Sequence, residues 1–276
     1  MREEYAQLLP DWYMGDEEHD LVLSDDIDSL ASCAVLNMVK GWKVGYFYDF
    51  NNIYTKQKDT TKKNRRCWVD IATYKGHAFD NHVSLISDWD TWNTDMINLN
   101  LMCQVTNENY TDKYAGSTLL TIWSVYDLPL PETEEGKMLL LCIDSAYKGF
   151  YSDRFHDIQK HYLIDVLGLE GLYSVIQRHT AEEFEDLILE YGLRQKITYY
   201  DRAIKTELPL DKIGQALGID LNIMPESEFF LIRRLVQIQA DIKEDDEYAD
   251  DISQGIKTLA IVYRNKVKYS KIKERR

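Results

Sequence analysis

Residues 20–40, DLVLSDDIDSLASCAVLNMVK, contain the pattern that decides the fold. The apolar run DLVLS at 20–24 predicts a short strand that ends in acidic residues. Apolar residues then recur three and four positions apart from Leu30 to Val39, which is the spacing of a helix with one buried face. The stretch therefore predicts a strand, an acidic turn and a helix in direct succession.

Further strands follow the same plan. Residues 43–50 are apolar on both faces, as in a strand that is covered on both sides, and residues 67–70 and 77–80 predict two shorter strands. Strands that alternate with helices favour a mainly parallel sheet, and such sheets bind ligands beyond the carboxyl ends of their strands. Four aspartates fall at those ends: Asp26, Asp28, Asp70 and Asp80.

The rest of the chain is predicted to be mostly helical. Helices are expected at about 115–126 and from 132 into the apolar stretch 138–143, which Asp144 follows, and a mostly helical pattern runs from 155 to about 240. Residues 258–263 and 267–272 predict a terminal hairpin. The sequence thus indicates an α/β fold with a mainly parallel sheet flanked by helices in residues 1–155, and a helix-rich half in residues 156–276 with a small C-terminal hairpin subdomain.

Charge and composition narrow the functional class. The net charge of −15 argues against a general nucleic-acid coating protein, which needs a broad positive surface. No Walker loop, GxGxxG or GxSxG string is present, so nucleotide triphosphatases, dinucleotide enzymes and serine hydrolases have no direct support. Without a leader pattern or a long apolar run, we expect a cytoplasmic protein that does not enter a membrane, with reduced cysteines.

Local positive charge could still meet a phosphate-rich ligand. A loop between two predicted strands carries a basic cluster, and its candidate substrate-binding residues are Lys62, Lys63, Arg65 and Arg66. A solvated loop is the alternative interpretation of the same cluster.

The aspartates lie within an ordered set of short motifs. These are LVLSDDIDSLASCAVL with Asp26 and Asp28, CWVDIA with Asp70, AFDNHVS with Asp80, Asn81 and His82, YAGSTLL at 114–120, and MLLLCIDSAYKGF at 138–150 with Asp144. In this order the motifs resemble those of the DHH superfamily of phosphoesterases, which includes exonucleases, cyclic-dinucleotide and small-oligonucleotide phosphodiesterases, and manganese pyrophosphatases.

The resemblance implies a metal-dependent phosphoesterase that binds Mn²⁺ or Mg²⁺ and acts on a nucleotide, cyclic dinucleotide or short single-stranded oligonucleotide. The implied metal ligands are Asp26, Asp28, Asp70, Asn81 and Asp144. The implied catalytic residues are His82, which would contact the phosphate, and Asp80. The oligomeric state, including a homodimer, stays open.

Two positions depart from the family pattern. Ser24 and Asn81 stand where the family has metal-binding histidines, and its glycine-rich substrate motif is not recognisable in residues 155–276. Oxygen ligands in place of imidazole favour hard cations such as Mg²⁺ or Mn²⁺. The alternative is a catalytically degenerate relative that keeps the fold and binds a nucleotide or a protein partner.

Overall fold

The computed structural model describes residues 1–56, 65–87, 93–242 and 256–273. In chain order the strands are β1 (His19–Leu23), β2 (Lys43–Tyr48), β3 (Asn52–Thr55), β4 (Arg65–Val69), β5 (Ala78–Phe79), β6 (Met96–Ile97), β7 (Ile197–Tyr200), β8 (Ala203–Thr206), β9 (Phe230–Asp241), β10 (Ile256–Tyr263) and β11 (Lys266–Ile272). The α-helices are α1 (Glu3–Ala6), α2 (Ile27–Lys40), α3 (Leu99–Met102), α4 (Thr118–Val125), α5 (Glu134–Cys142), α6 (His156–Lys160), α7 (Glu170–Ile176), α8 (Ala181–Glu190) and α9 (Leu210–Leu217). A π-helical segment, His161–Val166, continues α6, and short 3₁₀ turns lie at Asp11–Tyr13, Tyr110–Asp112 and Lys148–Tyr151.

The predicted strand, acidic turn and helix are confirmed as β1, residues 24–26 and α2. Asp26 begins the helix, because its side chain accepts a hydrogen bond from the backbone N–H of Ser29 at 3.3 Å. Gly41 ends it in the left-handed conformation, with φ of 71°, and its N–H donates to the carbonyl of Asn37. The helix lies against the sheet with most of its first ten residues buried.

Nine of the described strands form one sheet in the order β10-β11-β9-β3-β2-β1-β4-β5-β6. The expected parallel sheet is confirmed for β2, β1, β4, β5 and β6. The other neighbouring strands are paired antiparallel, namely β2 with β3, β3 with β9, β9 with β11 and β11 with β10. The sheet is therefore mixed, with a parallel half and an antiparallel half.

The antiparallel half curls over the second face of the parallel half. One apolar core lies between the sheet and the helices, and includes Leu21, Leu30 and Leu139. A second core lies on the other face, where Val22 and Trp68 share a cluster with Leu259 of β10. Backbone hydrogen bonds from Leu259 to Ala72 and from Ile261 to Val83 then join β10 to the loops that follow β4 and β5.

The expectation of a helix-rich C-terminal half is wrong in part. Helices α6 to α9 occupy much of residues 156–217, but β7 and β8 form a separate hairpin and the chain from 230 onward consists of strands in its described part. The terminal hairpin is confirmed as β10 and β11, and β11 pairs with β9, so the hairpin extends the main sheet.

Two smaller expectations concern cysteines and membranes. All four cysteines are free, and Cys33, Cys67 and Cys142 are buried, as small core residues are. None of the helices in the described part of the chain has the length and apolar character that a membrane span requires.

Candidate metal centre

Polar residues follow four neighbouring parallel strands at one edge of the sheet. Ser24 follows β1, Asp70 follows β4, Asp80 follows β5 and Asn98 follows β6, and all four are buried. Because the strands are parallel, their carboxyl ends meet at this edge. The structure thus brings Asp70 and Asp80 together as the sequence predicts, and adds Asn98, which the sequence analysis did not identify.

Asp70, Asp80 and His82 form the tightest group of ionisable side chains at this edge. Each can offer one ligand atom such that all three atoms lie within 4.8 Å of one another. Both carboxylates are buried, whereas 43% of the His82 side chain is exposed. The group therefore combines two buried carboxylates with an imidazole that solvent or a substrate can reach.

Asp80 and His82 form a hydrogen-bonded dyad. His82 Nδ1 lies 2.8 Å from Asp80 Oδ1, and the His82 backbone N–H donates to Asp80 Oδ2 at 3.1 Å. Asn98 completes the arrangement, since its Nδ2 donates to Asp80 Oδ2 and to the His82 carbonyl, each at 2.8 Å. Burial alone would lower the pKa of His82, but the charge and hydrogen bond of Asp80 outweigh it and raise that pKa to about 9. The imidazole is therefore cationic at neutral pH.

Asp28, one of the expected metal ligands, also binds the start of α4. Its Oδ2 accepts from the backbone N–H of Thr118, and its Oδ1 accepts from that of Leu119, both at 2.8 Å. These are the first N–H groups of α4, where a negative charge is stabilised by the helix dipole. The Thr118 hydroxyl in turn donates to Asp70 Oδ1 at 3.0 Å. Asp28 therefore anchors α4, and α4 holds Asp70.

Asp144 and Asn81 are also brought to this region. Asn81 Nδ2 donates to Asp144 Oδ2 and to the carbonyl of Gly116, each at 2.8 Å. Because the amide nitrogen makes both bonds, the oxygen Oδ1 is the atom that Asn81 can offer to a cation. Asp26, the remaining expected ligand, caps α2 and forms an ion pair with Lys196 at 3.4 Å.

The carboxylates repel one another and lack full hydration. Burial is the main reason that the pKa values of Asp28, Asp70 and Asp144 are raised, and neighbouring carboxylates add to the rise in each case. Asp70 and Asp144 also have left-handed backbones, with φ of 59° and 60°. Uncompensated acidic groups on strained backbone are often found at functional sites, where a bound cation offsets their repulsion.

A cleft of about 300 Å³ adjoins the carboxylates. Its lining includes the acidic residues Asp26, Asp28 and Asp144 and the basic residues Lys148, Arg194 and Lys196. The hydrogen bond from Tyr147 lowers the pKa of Glu185 to about 2, together with Lys148 at 2.9 Å and Arg194 at 2.6 Å. The basic lining residues were not predicted, because they are far apart in the sequence and no short motif contains them.

The expected basic loop is only partly described. Lys62 and Lys63 lie outside the described residues. Arg65 and Arg66 begin β4, whereas Asp70 follows its other end, so these two arginines lie toward the opposite edge of the sheet. Arg65 forms an ion pair with Glu17 at 3.1 Å, and the Arg66 guanidinium lies over the Tyr46 ring. The two arginines therefore lie away from the acidic site, and their expected role in substrate binding stays a prediction.

The donor set fits a hard divalent cation. The available atoms are carboxylate oxygens and the amide oxygen of Asn81, which are suitable ligands for Mg²⁺ or Mn²⁺. The Ser24 hydroxyl, fully buried after β1, makes no hydrogen bond within the described part of the chain. A buried hydroxyl without a partner is costly, and an ion or an ordered water would satisfy it.

Comparisons of the chain with protein-family models, with curated proteins and with solved structures find no match. The resemblance to the DHH superfamily therefore stays a prediction from the order of the motifs.

Proposed function

We propose that the protein is a divalent-metal-dependent phosphoesterase that hydrolyses a nucleotide, a cyclic dinucleotide or a short single-stranded oligonucleotide. The observation that carries the proposal is the convergence of Asp70, Asp80 and His82 at the carboxyl edge of the parallel sheet. The DHH resemblance supplies the substrate class, and the three basic residues that line the adjoining cleft support an anionic substrate.

Asp70 and Asp80 would hold the cation, with Asp144 and the Asn81 oxygen beside them. Each Asp80 oxygen already accepts a hydrogen bond, but a carboxylate oxygen has a second lone pair that can contact a cation. When bound, Mn²⁺ or Mg²⁺ would draw electron density from the phosphate and assist ionisation of the attacking water.

His82 would act on the phosphate from the other side. Asp80 binds Nδ1, so the ring is fixed and Nε2 is the nitrogen left for the substrate. In its cationic form the ring can donate a hydrogen bond to a phosphate oxygen and then release its proton to the leaving oxygen. Lys148, Arg194 and Lys196 line the cleft and would contact the anionic substrate.

The test is hydrolysis of dinucleotides, cyclic dinucleotides and five-nucleotide single strands by purified protein, with Mn²⁺ and with a chelator. We expect turnover only with the cation, and a loss of roughly 10²–10⁴-fold in kcat for His82→Gln if this residue is the general acid. Mn²⁺ affinity should be retained in that variant. Asp157→Asn, which changes a fully exposed carboxylate, is the matched control.

The hydrogen bonds of Asp28 favour a second candidate function, that of a non-catalytic relative that binds a nucleotide. Both oxygens of Asp28 bind α4, so this aspartate has a reason to be present even where no reaction occurs. Tight binding of a nucleotide without hydrolysis under any tested cation would support this candidate and refute the phosphoesterase. Absence of both turnover and Mn²⁺ binding would refute the metal-dependent mechanism.

A further inference from the structure

Two buried histidines lie at the opposite edge of the sheet from the carboxylates. His19 opens β1 and His77 precedes β5, and their side chains approach each other at the amino ends of the parallel strands. His19 Nε2 lies 2.6 Å from His77 Nδ1, and the two residues are only 2% and 6% exposed. This pair has no part in the proposed phosphoesterase site.

The hydrogen bonds limit how many protons the pair can carry. His19 Nδ1 lies 3.0 Å from the carbonyl of Glu17, which can only accept, so Nδ1 carries the proton of the neutral ring. His19 Nε2 is then an acceptor, and His77 Nδ1 is its donor. A first extra proton can enter at His77 Nε2. A second would have to enter at His19 Nε2, where two N–H groups would face each other across 2.6 Å.

Aromatic rings enclose the pair. Trp12 stacks on His77, with ring centroids 4.2 Å apart and an interplanar angle of 10°, and Trp42 lies 4.4 Å from His19. The indole N–H of Trp12 donates to the carbonyl of Asp95 at 2.9 Å. A single positive charge on the pair would lie against the indole faces, which attract cations, but the enclosure leaves little access to water for a second charge.

Charged groups of both signs surround the pair and shift the histidine pKa values in opposite directions. Glu17, Lys40 and Arg65 act on His19, and Glu17, Arg65 and Asp95 act on His77. Glu17 is already paired with Arg65 at 3.1 Å, so it offers little extra attraction to a second proton. Burial lowers the pKa of each histidine, and the charge of His19 lowers that of His77 further.

We propose that the His19–His77 pair is an acid-sensitive latch that holds residues 10–18 at the amino ends of the parallel strands. Trp12 is the contact through which the latch acts, because it stacks on His77 and donates to Asp95. Below the ordinary titration range of histidine the open state gains two protons at His19 and His77, whereas the closed latch holds at most one. Acid therefore favours release of the segment.

The expected effect follows from this difference of at least one proton. Linkage gives a change of at least about tenfold in the opening equilibrium per pH unit, once the pH is below the ordinary pKa of histidine, about 6.5. The latch is therefore closed at neutral pH and weakens progressively from about pH 6 toward pH 5.

The experiment compares His77→Asn with the wild-type protein. The asparagine amide can donate to His19 Nε2 at neutral pH, or rotate and accept from it when His19 is protonated, so the variant tolerates every proton that the open state binds. Amide hydrogen exchange is measured by mass spectrometry at pH 7, 6 and 5, with correction for the intrinsic pH dependence. His156→Asn, at a partly exposed histidine outside the latch, is the matched control.

We expect residues 10–18 of the wild-type protein and of the control to exchange at least about tenfold faster per pH unit below pH 6, relative to the rest of the chain. In His77→Asn this acceleration should be absent. Equal pH dependence in His77→Asn and wild type would overturn the proposal, as would acceleration spread evenly over the whole chain. If His77→Asn does not fold, His19→Gln, which removes the same proton conflict from the other side, takes its place with the same expected results. Neither result depends on metal binding or hydrolysis.

Discussion

Asp70→Asn is the substitution that most directly examines the candidate metal centre. Asparagine keeps an oxygen that can accept the hydrogen bond from Thr118 Oγ1, and it is among the residues that best tolerate the left-handed backbone found here, with φ of 59°. The change therefore removes the negative charge with little change in shape. Without metal, we expect the free energy of unfolding to stay the same or rise, because repulsion from Asp28, Asp26 and Asp144 is relieved.

The expected size of the metal effect follows from mass action. A cation at about 100 times its dissociation constant stabilises the native state by roughly 2.7 kcal/mol when the unfolded chain does not bind it. Thermal midpoints move by roughly 2–4 °C per kcal/mol for domains of 150–250 residues, and by somewhat less in longer chains. For 276 residues, saturating Mn²⁺ should therefore raise the midpoint by roughly 4–8 °C, and Asp70→Asn should abolish most of that rise.

The assay is thermal unfolding with Mn²⁺, with Mg²⁺ and with a chelator. Asp127→Asn is the matched control, since Asp127 is also left-handed, with φ of 48°, but is exposed in the loop after α4. The control should keep the whole metal-dependent rise. A wild-type midpoint that does not respond to millimolar Mn²⁺, or a response that Asp70→Asn leaves intact, would refute the assignment of Asp70 as a ligand.

Three further predictions concern the surroundings of the site. Asn98→Ser keeps an oxygen that can cap α3 but removes the amide donor to Asp80, so Mn²⁺ affinity measured by calorimetry should fall by roughly 10–100-fold. Thr133→Ala, which removes the N-cap of α5, is the control and should cost only about 1 kcal/mol of stability. Raised carboxyl pKa values mean that the folded metal-free protein binds more protons than the unfolded chain in mild acid. Acidification from neutral pH should therefore add a stabilising contribution from Asp70 in the wild type that Asp70→Asn lacks, as measured by chemical denaturation in chelator. Identical pH profiles of the two proteins would contradict this. Lys196→Gln should raise KM for an anionic substrate by roughly tenfold with kcat nearly unchanged, and an effect on kcat alone would exclude a role in substrate attraction.

The sequence predicts the edge of the sheet well because the relevant signals are local. A strand followed by an aspartate can be recognised within a few residues, and parallel pairing then brings successive strand ends together. Asp70 and Asp80 are thus correctly predicted to lie in one group. Asn98 follows a strand of two residues, Met96–Ile97, just as Asp80 follows Ala78–Phe79, but it has no carboxylate and belongs to none of the motifs that single out Asp80.

Apart from the terminal hairpin, the antiparallel half could not be predicted because its structure depends on distant partners. In β9 the apolar residues Leu231, Leu235 and Ile238 are three and four positions apart, which is also the spacing of a helix. Pairing with β3 on one side and β11 on the other fixes this segment as a strand. The roles of Asp28 and Lys196 depend on distant contacts in the same way, with α4 for Asp28 and with Asp25 and Asp26 for Lys196.

The distribution of hydrogen bonds among the carboxylates indicates where a cation is needed most. Asp28 accepts two backbone N–H groups from α4, Asp80 accepts from both His82 and Asn98, and Asp144 accepts from Asn81. Asp70 accepts one hydrogen bond, from the hydroxyl of Thr118, although burial and four neighbouring aspartates all disfavour its charge. Since its charge has the least compensation from the protein, a bound cation gains most by lying against Asp70. That asymmetry is the physical reason to expect the largest loss of metal binding from a change at this one residue.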